Sequence, residues 1–109
     1  MKTITFILPT KDRFETFIKF INYHEKIFKG LKYKILIIDG SKPFTHKKIK
    51  KICKIKKNLI LIKQIKKGFM NACFQAIKKV KTKYCTFLYD DDLLSGEVIK
   101  IFKQTVNNK

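Results

Sequence analysis

The chain has 109 residues and a formal net charge of +18, with 26 lysines and arginines against 8 aspartates and glutamates. This length suits one domain, and a hydrophobic content of 45% is too high for a disordered chain. No apolar stretch is long enough to span a bilayer, and the apolar start does not read as a signal peptide, so we expect a cytoplasmic protein.

The excess of basic residues raises the question of nucleic-acid binding. All of these residues except Arg13 are lysines, whereas base readout and bidentate phosphate contacts favour arginine. The densest lysine stretch, residues 47–57, carries isoleucines at helical spacing, which indicates the solvated face of a helix. We therefore expect only non-specific, salt-sensitive association with nucleic acid.

The first half of the chain alternates extended and helical patterns. Residues 3–8 form an apolar, β-branched run that predicts a strand, and apolar residues at helical spacing predict a helix over 14–28. A second strand is expected at 34–38, before the turn residues Asp39-Gly40-Ser41. A lysine-rich helix is then predicted from Pro43 to about Asn58.

The same alternation continues in the second half. Strands are predicted at 59–62 and 84–89, and between them a helix that follows Gly68 and carries Met70, Cys73, Phe74 and Ile77. A last helix is expected after Ser95, whose hydroxyl can cap it. Four strands alternating with four helices predict one α/β domain, with a Rossmann-like parallel sheet of about four strands and helices on both faces.

Three consecutive aspartates, Asp90, Asp91 and Asp92, follow the fourth predicted strand. Adjacent carboxylates repel one another, and a cation or a hydrogen-bonding ligand relieves that repulsion. The alternative is an exposed acidic turn that caps the next helix. Loops after parallel strands share one edge of the sheet, so Asp12 and Asp39 are expected near the triplet. This clustering favours a site for Mg²⁺ or Mn²⁺ shared with a diphosphate.

Four segments carry a family resemblance, and they follow one another in the expected order. They are an opening strand with a Pro-Thr loop, a strand ending in Asp-Gly-Ser, a glycine before a helix that bears an asparagine, and a strand ending in a D-x-D-type motif: Phe6–Arg13, Ile35–Ser41, Gly68–Ile77 and Tyr84–Asp92. Together they resemble the amino-terminal, nucleotide-sugar-binding half of a family 2 glycosyltransferase with the GT-A fold.

The resemblance implies a nucleoside-diphosphate sugar as donor, with uracil as the expected base, and a divalent metal, Mn²⁺ or Mg²⁺, as cofactor. The residues implied in nucleotide-sugar binding are Pro9, Thr10, Arg13, Asp39, Asn71 and Asp90. The residues implied in metal binding are Asp91 and Asp92.

The register of the aspartate motif has two readings. Read literally as D-x-D, it pairs Asp90 with Asp92. Aligned on the following pair Leu93-Leu94, the family's metal ligand falls at Asp91 and its ribose ligand falls at Tyr89. We favour Asp91 as the main metal ligand, with its two neighbours assisting.

Other candidate residues have structural alternatives. Asp39 could shape its own turn, Asn71 could cap or stitch the third helix, and Lys67 could be either a phosphate contact or a solvated side chain. His24 and His46 show no catalytic partner in the sequence and are expected at the surface or its boundary. The three cysteines lie in apolar segments and are expected to be reduced core residues: Cys53, Cys73 and Cys85.

The family resemblance places the acceptor site and the catalytic base beyond the aspartate loop. Glu97 is the only acid after the triplet, and it is expected to favour the helix dipole. The catalytic base is therefore unassigned, and we expect donor binding with little transfer by this chain alone, with a homo-oligomer as one way to complete a site. The alternatives are a nucleotide-binding module without transferase activity and a basic, nucleic-acid-associated domain.

Overall fold

The structure is a computed structural model that describes residues 4–107, so the start of the first predicted strand, at residue 3, lies outside the described residues. Strands and helices alternate along the whole described chain. The elements are β1 (Ile4–Thr10), α1 (Phe14–Ile27), β2 (Tyr33–Asp39), α2 (Pro43–Ile55), β3 (Leu59–Lys63), α3 (Phe69–Ile77), β4 (Tyr84–Phe87) and α4 (Gly96–Asn107).

The four strands form one parallel sheet in the order β3-β2-β1-β4. The predicted α/β, Rossmann-like fold is confirmed. Two strands run further than their apolar patterns predict, because the polar residues Thr10 and Asp39 still pair with each other at the ends of β1 and β2. Strand β4 ends earlier than predicted, at Phe87, although the amide of Leu88 still donates to the carbonyl of Ile7 at 2.9 Å.

Helices cover both faces of the sheet. On one face, a large core built around Phe6 receives Phe17 of α1, Ile49 of α2 and Ile99 of α4. On the other face, α3 packs its small residues Ala72 and Ala76 against a second core formed by Ile7, Leu36 and Ile38. The small side chains let α3 lie close over β1 and β2, and this fixes where the loop before α3 meets the sheet.

The surface placement predicted for His24 is wrong, because the side chain is fully buried. Its ring lies among the rings of Phe20, Tyr23 and Phe28, with ring centroids 4.1–5.2 Å away. Its Nδ1 lies 2.9 Å from the carbonyl of Phe20. Burial lowers the pKa of His24, against the opposing effects of this hydrogen bond and of Asp92.

The prediction that all three cysteines belong to the core holds for one of them. Cys73 is buried, Cys53 is half-buried, and Cys85, on the edge strand β4, is exposed. Burial raises the pKa of the Cys53 thiol to about 11, with a smaller contribution from the nearby charge of Asp39. None of the helices described is long and apolar enough to cross a membrane.

Candidate functional site

The carboxyl ends of β1 and β2 form the base of the site. Thr10 and Asp39 are register partners at these ends, and the amide of Gly40 donates to the carbonyl of Thr10 at 2.9 Å. The loop after β4 returns to the same edge, where it meets the side chain of Thr10. Residues at the ends of β1 and β2 and in the loop after β4 are thus brought together, as the parallel-sheet prediction requires.

Asp90 is the aspartate of the triplet that is fixed by the fold. Its side chain is only 6% exposed, and its Oδ2 accepts a hydrogen bond from Thr10 Oγ1 at 3.0 Å. Its Oδ1 lies 3.3 Å from Nη1 of the half-exposed Arg13. Asp90 therefore ties the loop after β4 to β1 and to the start of α1, and the guanidinium compensates its buried charge.

Asp39 is engaged by its own turn and by α2. Its carboxylate is fully buried, and Oδ1 accepts hydrogen bonds from the amide of Ser41, at 3.0 Å, and from the Ser41 hydroxyl. Its Oδ2 lies 2.6 Å from Nδ1 of His46, which must be the donor because a carboxylate only accepts. His46 lies at the boundary of the protein, as expected, with its side chain 18% exposed. The contacts of Asp39 with Ser41 are those expected if its side chain shapes its own turn.

The loops after β1 and β2 are also joined directly. The amide of Asp12 donates to the Ser41 hydroxyl at 2.7 Å, and its carboxylate accepts from the amide of Lys42 at 2.9 Å. Asp12 adopts a left-handed conformation, with a φ of 51°, which aspartate tolerates better than most residues. Its carboxylate is therefore a clamp between two loops.

A cavity of about 670 Å³ opens between the loops that follow all four strands. Four cationic side chains and two carboxylates line it, together with the rings of Phe69 and Tyr89, whose centroids lie 5.7 Å apart. The charged residues in the lining are Lys11, Arg13, Lys66, Lys67, Asp90 and Asp91. Of the residues predicted to bind the nucleotide sugar, the cavity lining includes Pro9, Thr10, Arg13 and Asp90. Asp39 and Asn71 lie outside that lining.

The two predicted metal ligands differ in position. Asp91 is exposed at the cavity wall, and within residues 4–107 no hydrogen bond or ion pair engages its carboxylate. Asp92 lies outside the lining, and its Oδ2 accepts a hydrogen bond from the backbone amide of Tyr89 at 3.3 Å. Across residues 4–107, no three His, Cys, Asp or Glu side chains are grouped so that they could hold a metal ion. One free carboxylate at a cavity wall does suit Mg²⁺ that is shared with diphosphate oxygens and water.

The loop between β3 and α3 forms the remaining wall. From the sequence we named only Lys67 of this loop as a candidate ligand and did not predict that the whole loop lines the site. The loop contributes Gln64, Lys66 and Lys67, and α3 begins there with Phe69. The rule that placed the aspartates at this edge applies equally to residues that follow β3, so the signal was present. Lysines are common throughout this chain, so two of them after β3 do not stand out in the sequence.

The family model of glycosyl transferase family 2 matches residues 5–108. The chain belongs to this family. No curated protein matches it significantly. The family 2 assignment covers all four loops that form the cavity.

A solved structure of S. aureus TarS, residues 1–349, superposes with a TM-score of 0.73 at 21% sequence identity. The match covers 99% of this chain and 33% of the TarS chain, so this chain spans about a third of the length of that neighbour. At this identity the likeness concerns the fold, and it agrees with the GT-A-type sheet implied by the sequence resemblance.

Proposed function

We propose that this family 2 domain binds the nucleoside-diphosphate sugar donor of a glycosyltransferase, with a UDP-sugar as the first candidate. The observation that carries the proposal is the cavity of about 670 Å³ at the carboxyl edge of the sheet, where Asp90 is held by Thr10 and Arg13. A volume of this size lies within the range of small-molecule and cofactor sites.

Different parts of the cavity suit different parts of the donor. The end of β1, at Pro9 and Thr10, offers a rigid wall for the nucleoside, and the Phe69–Tyr89 pair offers an aromatic surface. Asp90 is buried and fixed, so it can accept a hydrogen bond from a sugar hydroxyl without losing side-chain freedom. The cationic residues of the lining then face the phosphates.

Asp91 is the residue we assign to a divalent metal, Mn²⁺ or Mg²⁺, because it lies at the cavity wall and no side chain or backbone group of residues 4–107 engages its carboxylate. Such an ion, when bound, neutralises charge that develops on a leaving diphosphate. Asp92 is a weaker candidate, since its carboxylate contacts the Tyr89 amide outside the cavity. This assignment favours the register in which Asp91 is the main ligand.

Asp39 contributes to this function indirectly. Its carboxylate holds the Ser41 turn and His46, and the adjacent Gly40 lies in the cavity lining. Asn71 likewise bonds the Lys67 carbonyl at 2.8 Å. Both residues therefore shape the walls of the donor site through neighbouring backbone.

Calorimetric titration of the chain with UDP in the presence of Mn²⁺ tests the proposal. We expect saturable binding with one site per chain, and weaker binding of uridine, which lacks the phosphates. Incubation with labelled UDP-sugars and candidate acceptors then separates a transferase from a binding module. Failure to bind any nucleoside diphosphate would contradict the donor-site assignment.

A further inference from the structure

We propose that Lys66 and Lys67 bind the diphosphate of the donor directly. This contact gives the cavity an affinity for nucleoside diphosphates that does not depend on a divalent metal. The proposal rests on the proposed function, because it concerns the same ligand in the same cavity. It assigns a phosphate-binding role to the loop between β3 and α3, residues 64–68.

The charge balance of the cavity points to an anionic ligand. Of its two carboxylates, Asp90 is already compensated by Arg13 at 3.3 Å. The remaining lining charges are Asp91 and three lysines, Lys11, Lys66 and Lys67, so the wall carries an excess of two positive charges. In a concave site with low-dielectric walls, such an excess concentrates anions.

The lysines of the loop, Lys66 and Lys67, form no ion pair within residues 4–107. The sequence reinforces this, since the 50 residues from Gly40 to Tyr89 contain 15 lysines and no aspartate or glutamate. A phosphate that enters the cavity therefore meets two ammonium groups that are not already neutralised.

The backbone of the loop is held by side-chain amides. Gln64 Nε2 donates to the carbonyls of Lys66, at 2.6 Å, and Gly68, at 3.1 Å. Asn71 Nδ2 donates to the carbonyl of Lys67 at 2.8 Å. The carbonyl of each lysine is thus bonded to an amide donor, which fixes the backbone from which both side chains extend.

The start of the loop is held by a second glutamine. Gln75 Oε1 accepts from the amide of Ile65 at 2.9 Å, and its Nε2 donates to the carbonyl of Lys63 at 2.8 Å. The amide of Gln64 also donates to the carbonyl of Asp39 at 2.8 Å. Lysines on a fixed backbone lose less freedom when they bind than lysines on a mobile loop, so this construction favours binding.

Lys66 and Lys67 are exposed, like many other lysines of the chain, but they line the cavity and extend from a loop whose backbone is held by side-chain amides. Lys50 and Lys51, for example, are an adjacent exposed pair on α2 that lies outside the cavity lining. A lysine ammonium is a compact point charge with three donors, which suits a phosphate approached from any side. The ligand class is therefore a diphosphate, and UDP should bind better than UMP and much better than uridine when no metal is present.

The test compares two double variants of equal charge change, Lys66→Gln/Lys67→Gln and Lys50→Gln/Lys51→Gln, with the parent chain. UDP affinity is measured by calorimetry at fixed ionic strength, once with EDTA and once with Mn²⁺. We expect the parent to bind UDP in EDTA, the loop variant to lose about tenfold or more of that affinity, and the α2 variant to stay within about twofold. Circular dichroism of each variant confirms that the fold is retained.

Each other outcome is decisive. The diphosphate-binding role of Lys66 and Lys67 would be overturned by any of three results: binding by the parent only with Mn²⁺, an unchanged affinity of the loop variant in EDTA, or equal losses in the two variants. The donor site itself would survive these results, because UDP would still bind with metal. No UDP binding under either condition would instead overturn the proposed function, and with it the assignment of the loop.

Discussion

The amide of Leu94, two residues beyond the aspartate triplet, donates a hydrogen bond to Nε2 of His24 at 3.2 Å. The Leu94 carbonyl accepts from the Tyr23 hydroxyl at 2.6 Å. Two consecutive residues of α1 thus hold both polar groups of one residue in the loop that carries Asp91. Because Nε2 accepts from the Leu94 amide it carries no proton, so the ring is neutral and its Nδ1 donates to the Phe20 carbonyl.

This geometry predicts that the fold loses stability in mild acid. Burial lowers the folded-state pKa of His24 below its ordinary value of 6.5. Below pH 6.5 the unfolded chain therefore binds more protons than the folded chain, so the free energy of unfolding decreases as the pH falls. The contribution of His24 is fully present above that pH.

Urea unfolding between pH 5 and 7.5 measures this effect. We expect the unfolding midpoint of the parent to fall towards pH 5, and the His24→Leu variant, less stable at pH 7.5, to show a shallower pH dependence. Parallel pH profiles for the two proteins would show that another group is responsible.

The Asp39–His46 pair predicts a large effect on stability. Replacing His46 with leucine leaves Oδ2 of a fully buried carboxylate without its donor, and we expect a loss of about 3 kcal/mol in the free energy of unfolding. Ser41→Ala is the matched control, because the Ser41 amide still donates to Asp39. That variant should lose only about 1 kcal/mol. Equal losses, measured by chemical denaturation, would mean that the imidazole contributes little.

The assignment of Asp91 predicts a metal-dependent change in nucleotide affinity. Asp91→Asn keeps the size of the side chain and removes its charge, so UDP binding in Mn²⁺ should weaken by about tenfold, whereas binding in EDTA should be unchanged or stronger. Glu97→Gln provides the control, since Glu97 is exposed on α4, outside the cavity lining. Calorimetry with and without the ion checks both. If the two variants match the parent in Mn²⁺, the triplet is an acidic turn.

A pair of glycine substitutions tests the support of the lysine loop. A Cβ at Gly40 would lie 2.6 Å from Gln64 Oε1, so Gly40→Ala must displace the amide that holds the carbonyls of Lys66 and Gly68. The displaced atom is the end of a flexible side chain, and we expect a small change in stability but a several-fold weaker affinity for UDP in EDTA.

Gly96→Ala is the matched substitution, since a Cβ there meets no atom within 4 Å and alanine favours the helix. It should leave UDP affinity unchanged and stabilise the fold slightly. A loss of affinity in this variant, or full affinity in Gly40→Ala, would show that UDP affinity does not depend on the Gln64 contacts.

The alternation of apolar runs and helical spacing was sufficient to predict four strands, four helices and a parallel sheet. Those patterns reflect burial of each element against its neighbours, which is a local property of the sequence. The parallel arrangement then placed the ends of all strands at one edge, so the neighbourhood of Thr10, Asp39 and the triplet followed without coordinates. Family membership, suggested by four ordered motifs, agreed with the match over residues 5–108.

Only the tertiary structure showed which polar groups at that edge are already engaged and which are free. Asp90 meets Thr10 across 80 residues of sequence, and His24 meets Leu94 across 70, so no local pattern could reveal either contact. Asp39 and Asp91 look alike as aspartates after a strand, yet one is buried against Ser41 and His46 and the other lies free at the cavity wall. The difference arises because hydrogen bonds are short-ranged and directional, so the packing of distant elements determines which carboxylate is left for a ligand.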